Sequence, residues 1–473
     1  MDPTLTVDRS TPRKTPARGR PSVATDVYRG LSFWHGTAGD LTPRAGLDGD
    51  GEADVAIVGG GLTGLWTAWY LLERDPTLRI VVLEKEIAGF GASGRNGGWC
   101  SALFPRSTAS LERAHGRPAA LAMRRAMIDT ISEVERVAAS IPCDFARGGT
   151  IAYARSAVQE RAARAEIAEA AAYGVDEIGW RGRESVGAAG ARGASFDRNC
   201  ASLHPAKLVR GLASALEARG VRILEHTEVT AVSPGSVATA RGVVTADRVV
   251  VATEGYTATF PATRRRILPL YSLMIATEPL SDAFWDEVRI AHGETFTDYR
   301  HLLIYGQRTA DNRFAFGGRG ARYHWGSAIR ARYDRAPRVF KHLRRTLTEL
   351  FPAARGAEIT HRWGGPLGVP RDWHASVRYD PATRIGRAGG YVGDGLSTTN
   401  LAGRTLADLL TDADTDLTRL PWVGHRSPDW EPEPLRFLGA NAGMLAMAAA
   451  DVEERVTGRS SLIAKVMGPL VGH

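Results

Sequence analysis

Apolar and polar positions along residues 54–84 predict a strand, a helix and a second strand. Val55–Val58 is an uninterrupted apolar run, a helical pattern follows three glycines, and a second apolar run ends at Glu84. Short, uniformly apolar runs are typical of buried parallel strands, and Val249–Ala252 has the same pattern. These runs predict a parallel sheet in an α/β fold.

Helical spacing recurs in residues 107–139 and 157–173 and in His204–Gly220, which ends at a glycine. Residues 267–361 differ, because their apolar runs are broken by polar positions and turns, one of them at Ala310–Asn312. This pattern predicts antiparallel strands.

Gly389–Leu410 returns to the strand, glycine-rich turn and helix pattern of the first segment. We therefore predict two interleaved domains, each assembled from separated pieces of the chain. The expected division is a disordered segment 1–27, a first domain of 28–106, 200–262 and 362–420, a second domain of 107–199 and 263–361, and a helical C-terminal tail 421–473.

Three glycines at GxGxxG spacing, Gly59, Gly61 and Gly64, make the first segment a candidate dinucleotide-binding site. We call this motif the fingerprint. The first permits a tight turn, the second lets a pyrophosphate approach the backbone, and the third lets the helix pack on the sheet. The helix N-terminus offers N–H groups to phosphate, and Glu84 is spaced to accept hydrogen bonds from ribose hydroxyls. An acid here argues against a 2′-phosphate and hence against NADP, which leaves NAD and FAD.

The net charge of +8 does not indicate nucleic-acid binding, because the 60 basic residues are spread along the chain and only five are Lys. Three cysteines, Cys100, Cys143 and Cys200, are too few and too scattered for a disulfide framework or a metal cluster. We therefore expect a cytoplasmic protein without a metal. No apolar stretch is long enough to span a membrane, and no N-terminal apolar run resembles a signal peptide.

A second glycine-rich turn precedes the predicted helix of Tyr391–Leu410. Gly393 and Gly395 allow close approach of the backbone, and Ser397 or Thr398 can cap the helix. A helix N-terminus here can stabilise negative charge on the pyrimidine edge of a flavin, whereas the alternative is an ordinary capped helix. Together with the first fingerprint, this turn favours a flavin.

These motifs resemble, in the same order, those of the D-amino-acid-oxidase-type (DAO) FAD-dependent oxidoreductases. The segments that carry the resemblance, besides the fingerprint, are GASGRNGG (91–98), TEVTAV (227–232), VVVATEGYT (249–257), RWGGP (362–366) and GDGLSTTNLAG (393–403). We call residues 91–98 the early loop. Within the family, this loop and EPEPLRFLG (431–439) look most like gamma-glutamylputrescine oxidase-like proteins. The resemblance implies an α/β (α+β) fold in which a glutathione-reductase-like Rossmann FAD domain is interleaved with an antiparallel-sheet substrate domain.

The resemblance also implies which residues hold FAD. By matching motif, these are Gly59, Gly61, Leu62, Thr63, Gly64, Glu84, Lys85, Ala92, Ser93, Arg95, Asn96, Gly97, Gly98, Val229, Thr253, Gly393, Gly395, Leu396, Ser397 and Thr398. Relatives that attach FAD covalently use a His in the early loop or a Cys before the late motif. Neither is present here, so we expect non-covalent FAD, and a role for Cys100 stays open.

Flavoenzymes of this kind remove a hydride equivalent from the carbon next to an amine nitrogen, and the imine product then hydrolyses. Amino-acid-oxidising members follow the W-G-G motif with an Arg that holds the substrate carboxylate, whereas this chain has Leu367 near that position. The difference favours an amine or an N-substituted amino compound as the small-molecule substrate. Arg319, Arg322 or Arg371 could supply another anion contact.

Four side chains are candidates for the substrate pocket, with core packing as the alternative for each: Tyr271, Tyr305, Trp363 and His374. The electron acceptor would be oxygen or another molecule, and Ala315 stands where sarcosine oxidases have an oxygen-activating Lys. Two further hypotheses stay open. One is an FAD-linked amino-acid or hydroxy-acid dehydrogenase that passes electrons to a quinone or carrier, and the other is a flavin-binding protein without turnover.

Overall fold

The computed structural model describes residues 23–174 and 178–468. The helices in these ranges are α1 (Val23–Arg29), α2 (Phe33–Thr37), α3 (Leu62–Arg74), α4 (Thr108–His115), α5 (Arg117–Ala138), α6 (Ala157–Ala172), α7 (Pro205–Ala218), α8 (Asp282–Val288), α9 (Pro337–Leu350), α10 (Gly395–Leu410), α11 (Leu435–Thr457) and α12 (Leu462–Met467). The strands are β1 (Gly51–Val58), β2 (Ile80–Leu83), β3 (Trp99–Ser101), β4 (Thr150–Ala154), β5 (Ile178–Gly182), β6 (Gly193–Asp197), β7 (Cys200–Ser202), β8 (Arg222–Leu224), β9 (Val229–Ser233), β10 (Ser236–Thr239), β11 (Gly242–Val251), β12 (Leu268–Thr277), β13 (Thr295–Asp298), β14 (Ile304–Arg308), β15 (Phe314–Gly318), β16 (Ile359–Val369), β17 (Ser376–Asp380) and β18 (Ile385–Gly389).

The first sheet is centred on β1 and contains the predicted parallel strands. Its order is β17-β18-β11-β1-β2-β8, and β1 pairs in parallel with both β2 and β11. Helices α3, α5, α7 and α10 contribute apolar side chains to the core on one face, and β9 and β10 contribute to the core on the other. Because both faces are covered, the central strands carry consecutive apolar residues at Val55–Val58, Ile80–Leu83 and Val249–Val251 rather than at alternate positions.

The second sheet is antiparallel, as predicted, except where β4 and β13 run parallel. Its order is β16-β12-β15-β14-β13-β4-β6-β5. One face packs on α9, where Leu343 and Leu347 join Leu273 and Ile275 of β12 in a buried cluster. The other face carries Met274, in a cluster with residues of α2 and of β16. A parallel sheet and an interleaved antiparallel sheet confirm the predicted fold class.

Several elements lie across the predicted domain boundaries. Strand β16 spans the expected division at residue 362, and α1 occupies the last five positions of the segment 1–27 that was expected to be disordered. Residues 1–22 lie outside the described ranges. The C-terminal tail contains α11 and α12, and among all described helices none is long and apolar enough to cross a membrane. The division into domains stays a prediction.

Helices α3 and α10 lie side by side and run in the same direction. Near their N-termini, the hydroxyl groups of Thr63 and Tyr391 are 3.0 Å apart, and near their C-termini Arg74 pairs with Asp408. Between these contacts, a Cβ on Gly403 would lie only 2.6 Å from the Cβ of Trp66. The missing side chain therefore lets the two helices pack closely, which brings their N-termini together.

A buried carboxylate, Glu225, connects four separate segments of the chain. Its two oxygens accept hydrogen bonds from the backbone N–H groups of Arg44 and Ala88, both at 2.7 Å. They also pair with the guanidinium groups of Arg44 at 2.9 Å and Arg210 at 2.8 Å. The side chain is fully buried, so the two cations offset the cost of removing the carboxylate from water.

We expect Glu225→Ala to lower the free energy of unfolding by about 3–5 kcal/mol, because it leaves the poorly solvated guanidinium of Arg210 without its ion-pair partner and that of Arg44 with Glu217 alone. The matched control is Glu228→Ala, which breaks the exposed pair with Lys85 and should cost less than about 1 kcal/mol. Urea denaturation followed by circular dichroism measures both. Equal losses for the two variants would contradict the role assigned to Glu225.

Candidate active site

The turn between β1 and α3 has the backbone shape that its glycines were predicted to allow. Gly59 has a φ of +109°, which L side chains rarely adopt. A Cβ on Gly64 would lie 2.2 Å from the carbonyl oxygen of Gly59, so the helix could not start here with a larger residue. Gly61 is the residue before α3 and supplies no side-chain cap, so the first turn of the helix presents N–H groups that can bind a phosphate.

Glu84 follows β2 and faces this turn. Its Oε2 accepts a hydrogen bond from the N–H of Gly60 at 2.8 Å, and its Oε1 accepts one from the N–H of Glu86 at 2.9 Å. Burial raises the pKa of the carboxyl to about 7, and the two backbone donors oppose that shift. Lys85 extends to the surface instead, where it pairs with Glu228.

The early loop is held in place by its own polar side chains. Ser93 Oγ accepts a hydrogen bond from the N–H of Leu62 at 2.9 Å, which joins the loop to the start of α3. Asn96 donates to the carbonyl oxygens of Ala92 and Ser93 and accepts from the N–H of Gly98 at 2.7 Å. The loop backbone is therefore fixed beside the fingerprint turn.

Arg95 and Trp363 connect the loop to the second sheet. The Arg95 guanidinium pairs with Asp334 at 2.8 Å and donates to the carbonyl oxygen of Gly364 and the hydroxyl of Tyr256. The indole N–H of Trp363 donates to the carbonyl oxygen of Arg95 at 2.9 Å. Both side chains are buried, and their polar groups join the early loop to β16 of the second sheet.

The start of α10 lies beside β3, the strand that follows the same loop. Gly393 has a φ of +111°, and Asp394, the residue before the helix, makes no side-chain cap. Ser397 Oγ donates to the carbonyl oxygen of Ser101 in β3. Burial raises the pKa of Asp394 to about 6. Helices α3 and α10 therefore present two partly positive N-termini to one region, neither of them capped by the side chain of the residue before it, which suits a ligand with phosphate at one end and an electron-accepting ring at the other.

Arg319 is the predicted anion contact that lies at this helix terminus. Its Nη2 donates to the carbonyl oxygen of Val392 at 2.8 Å, and it is 3.8 Å from the position that a Cβ of Gly393 would occupy. Leu367 approaches the same point to 3.8 Å. Burial lowers the pKa of Arg319. The other two candidates differ, because Arg371 pairs with Glu431 and Arg322 is exposed.

Tyr305 lies against the early loop. Carbon atoms of its ring are 2.8 Å from where a Cβ of Gly97 would stand, and its hydroxyl is 2.8 Å from Ser272 Oγ. Burial raises the pKa of Tyr305, so the phenol keeps its proton at neutral pH. Gln307, two residues further along β14, donates to the carbonyl oxygen of Gly97 at 2.6 Å. The sequence interpretation missed Ser272 and Gln307, although the alternation along β12 and β14 could have indicated them.

Tyr271 and His374 have different surroundings. Tyr271 belongs to the cluster on the α9 face of β12, where its hydroxyl accepts a hydrogen bond from the N–H of Arg330 at 3.2 Å. His374 stacks on His425 with ring centroids 4.0 Å apart, and burial lowers its pKa to about 4. These positions do not favour a pocket role for either residue, and such a role stays a prediction.

The remaining predicted residues lie near the first sheet. Val229 is buried at the start of β9, and Thr253 follows β11 with its hydroxyl 2.8 Å from that of Thr257. Cys100 on β3 is fully buried, and burial raises the pKa of its thiol well above the ordinary value. Among the described residues, no group of three or more His, Cys, Asp or Glu side chains could hold a metal ion.

Comparisons with known proteins agree with this geometry. The family model "FAD dependent oxidoreductase" (DAO) matches residues 54–409. Gamma-glutamylputrescine oxidoreductase of Escherichia coli is 31% identical over 414 residues, which are 84% of this chain and 94% of that protein. A probable oxidoreductase, OrdL, of Haemophilus influenzae is also 31% identical, over 78% of this chain and 85% of its own length.

Solved structures share the fold at lower identity. Glycine oxidase from Geobacillus kaustophilus superposes with a TM-score of 0.65 and 22% identity, covering 79% of this chain and 99% of that one. L-proline dehydrogenase from P. horikoshii gives a TM-score of 0.63 at 19% identity, with 79% and 96% covered. The family match and the relatives confirm the predicted family, enzyme class and cofactor. The chain belongs to the FAD-dependent oxidoreductase (DAO) family, and it is an oxidoreductase that uses FAD.

Proposed function

We propose that this enzyme oxidises a C–N bond of an amine or N-substituted amino compound that also carries a carboxylate. The observation that carries the proposal is the position of Arg319 and Leu367, which meet beside Gly393 at the N-terminus of α10. A relative that is 31% identical over most of the chain is named as an oxidoreductase of gamma-glutamylputrescine, which is an amine of this kind. When bound, FAD supplies the hydride acceptor, and the imine product hydrolyses in water.

The proposed FAD-binding site is formed by the N-terminal ends of α3 and α10 and by the early loop. The N–H groups at the start of α3 would receive the pyrophosphate, and Glu84 would accept hydrogen bonds from the adenosine ribose. The start of α10, including Leu396 and Ser397, would face the pyrimidine edge of the ring. Each helix end contributes about 0.3–1 kcal/mol to the stabilisation of negative charge, and more where the site is buried.

The attachment of FAD is proposed to be non-covalent. Cys100 lies on β3 and its side chain is buried in the core. Burial raises the pKa of its thiol, so the thiol is poorly suited to act as a nucleophile. The early loop offers Arg95 and Asn96, whose side chains are engaged in hydrogen bonds within the protein. Neither residue type forms the bond that tethers FAD in covalent relatives.

The pocket groups are suited to orienting a substrate rather than to removing a proton. The phenol of Tyr305 stays protonated because burial raises its pKa, so it acts as a hydrogen-bond donor or packing surface, with Ser272 as its partner. The reacting amine must therefore arrive in its neutral form, and deprotonation of the substrate itself sets the rise of the rate with pH.

Arg319 carries a charge that the protein leaves incompletely neutralised. Its hydrogen bond goes to the carbonyl oxygen of Val392. Arg319 forms no ion pair with a described residue; the carboxyl of Asp394 attracts it without pairing with it, and burial, which raises the pKa of that carboxyl to about 6, opposes its ionisation. A substrate carboxylate would complete the neutralisation, and it would do so from a different strand than the Arg that amino-acid-oxidising relatives place near the position of Leu367.

The same Arg319 also supports a second candidate, an FAD-linked dehydrogenase of amino or hydroxy acids that passes electrons to a quinone or carrier. We further propose oxygen or another small molecule as the acceptor for the amine reaction.

A cytoplasmic location is supported by three cysteines that are buried and unpaired.

The experiment that tests the function is anaerobic reduction of the purified holoenzyme by a panel of compounds. Each amine is offered with and without a distal carboxylate, beside amino acids and 2-hydroxy acids. We expect the flavin absorbance to bleach fastest with carboxylate-bearing amines, and peroxide formed in air then separates oxidase from dehydrogenase. Bleaching by amino or hydroxy acids alone would replace the proposal with the second candidate, and no reduction by any class would contradict both.

We expect FAD affinity to depend on the protonation of Glu84. Ribose hydroxyls donate to the ionised carboxylate, so binding favours proton loss from a group whose pKa is about 7 in the flavin-free protein. Affinity should therefore be highest above pH 7 and fall by up to about tenfold per pH unit below it. Glu84→Gln should weaken binding about 10- to 100-fold and remove this pH dependence.

Fluorescence titration of deflavinated protein with FAD measures both effects. Glu86→Gln is the matched control, since that neighbouring acid interacts with Tyr28 and not with Gly60. The control variant should keep a pH dependence, displaced towards lower pH because the charge of Glu86 contributes to the raised pKa of Glu84. An unchanged pH profile in Glu84→Gln would contradict the assignment of Glu84 to the ribose.

We expect Arg319→Met to raise KM for a carboxylate-bearing amine about 10- to 100-fold, because a charge-assisted hydrogen bond contributes about 1.5–3 kcal/mol. The KM for the matching amine without a carboxylate should change little. Arg322→Met, which removes an exposed Arg nearby in sequence, is the control. Steady-state kinetics decide the question, and an equal effect of Arg319→Met on both amines would exclude an anion contact.

A further inference from the structure

Glu254 is a partly buried carboxylate that follows β11. Its φ is +42°, a backbone conformation that residues other than glycine rarely adopt. Among the described residues it has no ion-pair partner, and its carboxylate accepts hydrogen bonds from backbone N–H groups instead. Strained residues persist only where the surrounding structure holds them, and they cluster at active sites.

The two oxygens of Glu254 join two segments that are separate in sequence. Oε2 accepts a hydrogen bond from the N–H of Gly368 in β16 at 2.7 Å, and Oε1 accepts one from the N–H of Tyr391, in the turn before α10, at 3.4 Å. A Cβ on Gly368 would lie 2.7 Å from Oε2, so the missing side chain leaves room for the carboxylate. Glu254 therefore links the second sheet to the turn from which α10 begins.

A continuous series of hydrogen bonds runs from Glu254 to Arg319. The N–H of Gly368 donates to Glu254, and its carbonyl oxygen accepts from the N–H of Val392 at 3.4 Å. The carbonyl oxygen of Val392 in turn accepts from Nη2 of Arg319 at 2.8 Å. We call residues 367–368 and 391–392 the β16–α10 junction. A displacement of the Glu254 carboxylate would move this junction and the carbonyl group that holds Arg319.

The far side of the junction is strained as well. Val392 has a φ of +57°, which is a genuine outlier for a β-branched residue. Its side chain is buried in a cluster with Val369 and Trp430. The hydroxyl of Tyr391, the residue before it, lies 3.0 Å from that of Thr63 on α3. The junction is thus fixed by contacts with β11, β16 and α3 at once, and Glu254 supplies its charged contact.

We infer that Glu254 is a positioning residue of the active site, whose carboxylate holds the β16–α10 junction so that Arg319 and Leu367 stand beside the N-terminus of α10. It acts through Gly368 and Val392 and not on the reacting atoms. The inference rests on the proposed function in one respect, which is the contact between Arg319 and a substrate carboxylate.

The hydrogen bonds around Glu254 require a carboxylate rather than an amide. A carboxylate offers two acceptor oxygens and no donor, which matches the two N–H groups that face it. Burial raises the pKa of Glu254, whereas the N–H groups of Gly368, Gly255, Tyr391 and Gly390 stabilise the charged form. A glutamine would keep one acceptor oxygen but would turn an amide NH2 group, a donor, towards one of these N–H groups.

The first test is a double-mutant cycle between Glu254→Gln and Arg319→Met in the purified holoenzyme. It compares KM for a carboxylate-bearing amine with KM for the matching amine without a carboxylate. We expect Glu254→Gln to raise the first about tenfold and to change the second little, because a misplaced contact loses its binding contribution. In the Arg319→Met background, Glu254→Gln should raise KM less than about twofold, since residues that act as a unit are not additive.

Glu294→Gln is the matched control for the cycle. Glu294 also accepts a backbone hydrogen bond, from the N–H of Ala291 at 2.8 Å, and it pairs with Arg181 in the second sheet. Its replacement should affect both amines equally, and its effect should add to that of Arg319→Met. A residue that merely supports the fold would behave like this control. FAD content and far-UV circular dichroism report that each variant is folded.

The second test does not depend on the identity of the substrate. Hydrogen–deuterium exchange of the holoenzyme, followed by mass spectrometry, reads the two segments that Glu254 joins. We expect Glu254→Gln to speed exchange at least about fivefold in peptides that contain Gly368 and in those that contain Tyr391 and Val392. Exchange in β2 should not change. If Glu254→Gln does not retain FAD, Glu254→Asp, which keeps the charge and shortens the side chain, takes its place with the same expected directions.

Two results would overturn the inference. One is unchanged exchange in both segments, and the other is an additive cycle in which Arg319→Met alone separates the two amines. Faster exchange in both segments, together with an equal effect of Arg319→Met on the two amines, would uphold Glu254 as the residue that holds the junction. That outcome would contradict the proposed substrate contact instead.

Discussion

The close contact between α3 and α10 is the constraint on which the rest of the site depends. Gly403 has no side chain, so its backbone lies directly against Trp66. The two helices then run in the same direction. Helix α3 begins after the carboxyl end of β1 and α10 begins after the turn that follows β18, so their N-termini lie in the same region. FAD needs one positive site for its pyrophosphate and another for its ring, and this packing supplies both at a fixed separation.

The second sheet becomes part of the same site through a small number of buried polar contacts. Arg95 pairs with Asp334, and Trp363 donates to the backbone of the early loop. These bonds are exchanged between residues far apart in sequence and are shielded from water, so breaking one partner leaves a buried charge or dipole unsatisfied. The second sheet is thereby held over the early loop, which borders the proposed FAD-binding site.

Sequence predicted most accurately the features that depend on backbone chemistry over a few residues. The fingerprint glycines and Glu84 belong to this group, because the turn they form is determined locally. Side-chain partners could not be predicted in the same way, since Arg95 pairs with Asp334, which lies 239 positions further along the chain. The sequence also could not predict which face of β12 each residue occupies. Tyr271 and Ser272 are adjacent, and only the position of α9 shows which of the two points away from the early loop.

The central claim is that the N-termini of α3 and α10 hold one FAD between them. A crystal structure of the FAD-loaded enzyme tests it most directly. We expect the pyrophosphate against the backbone of Gly61 and the first turn of α3, and the pyrimidine edge of the flavin against the start of α10. A flavin ring directed away from α10, or a dinucleotide bound outside the fingerprint turn, would contradict it.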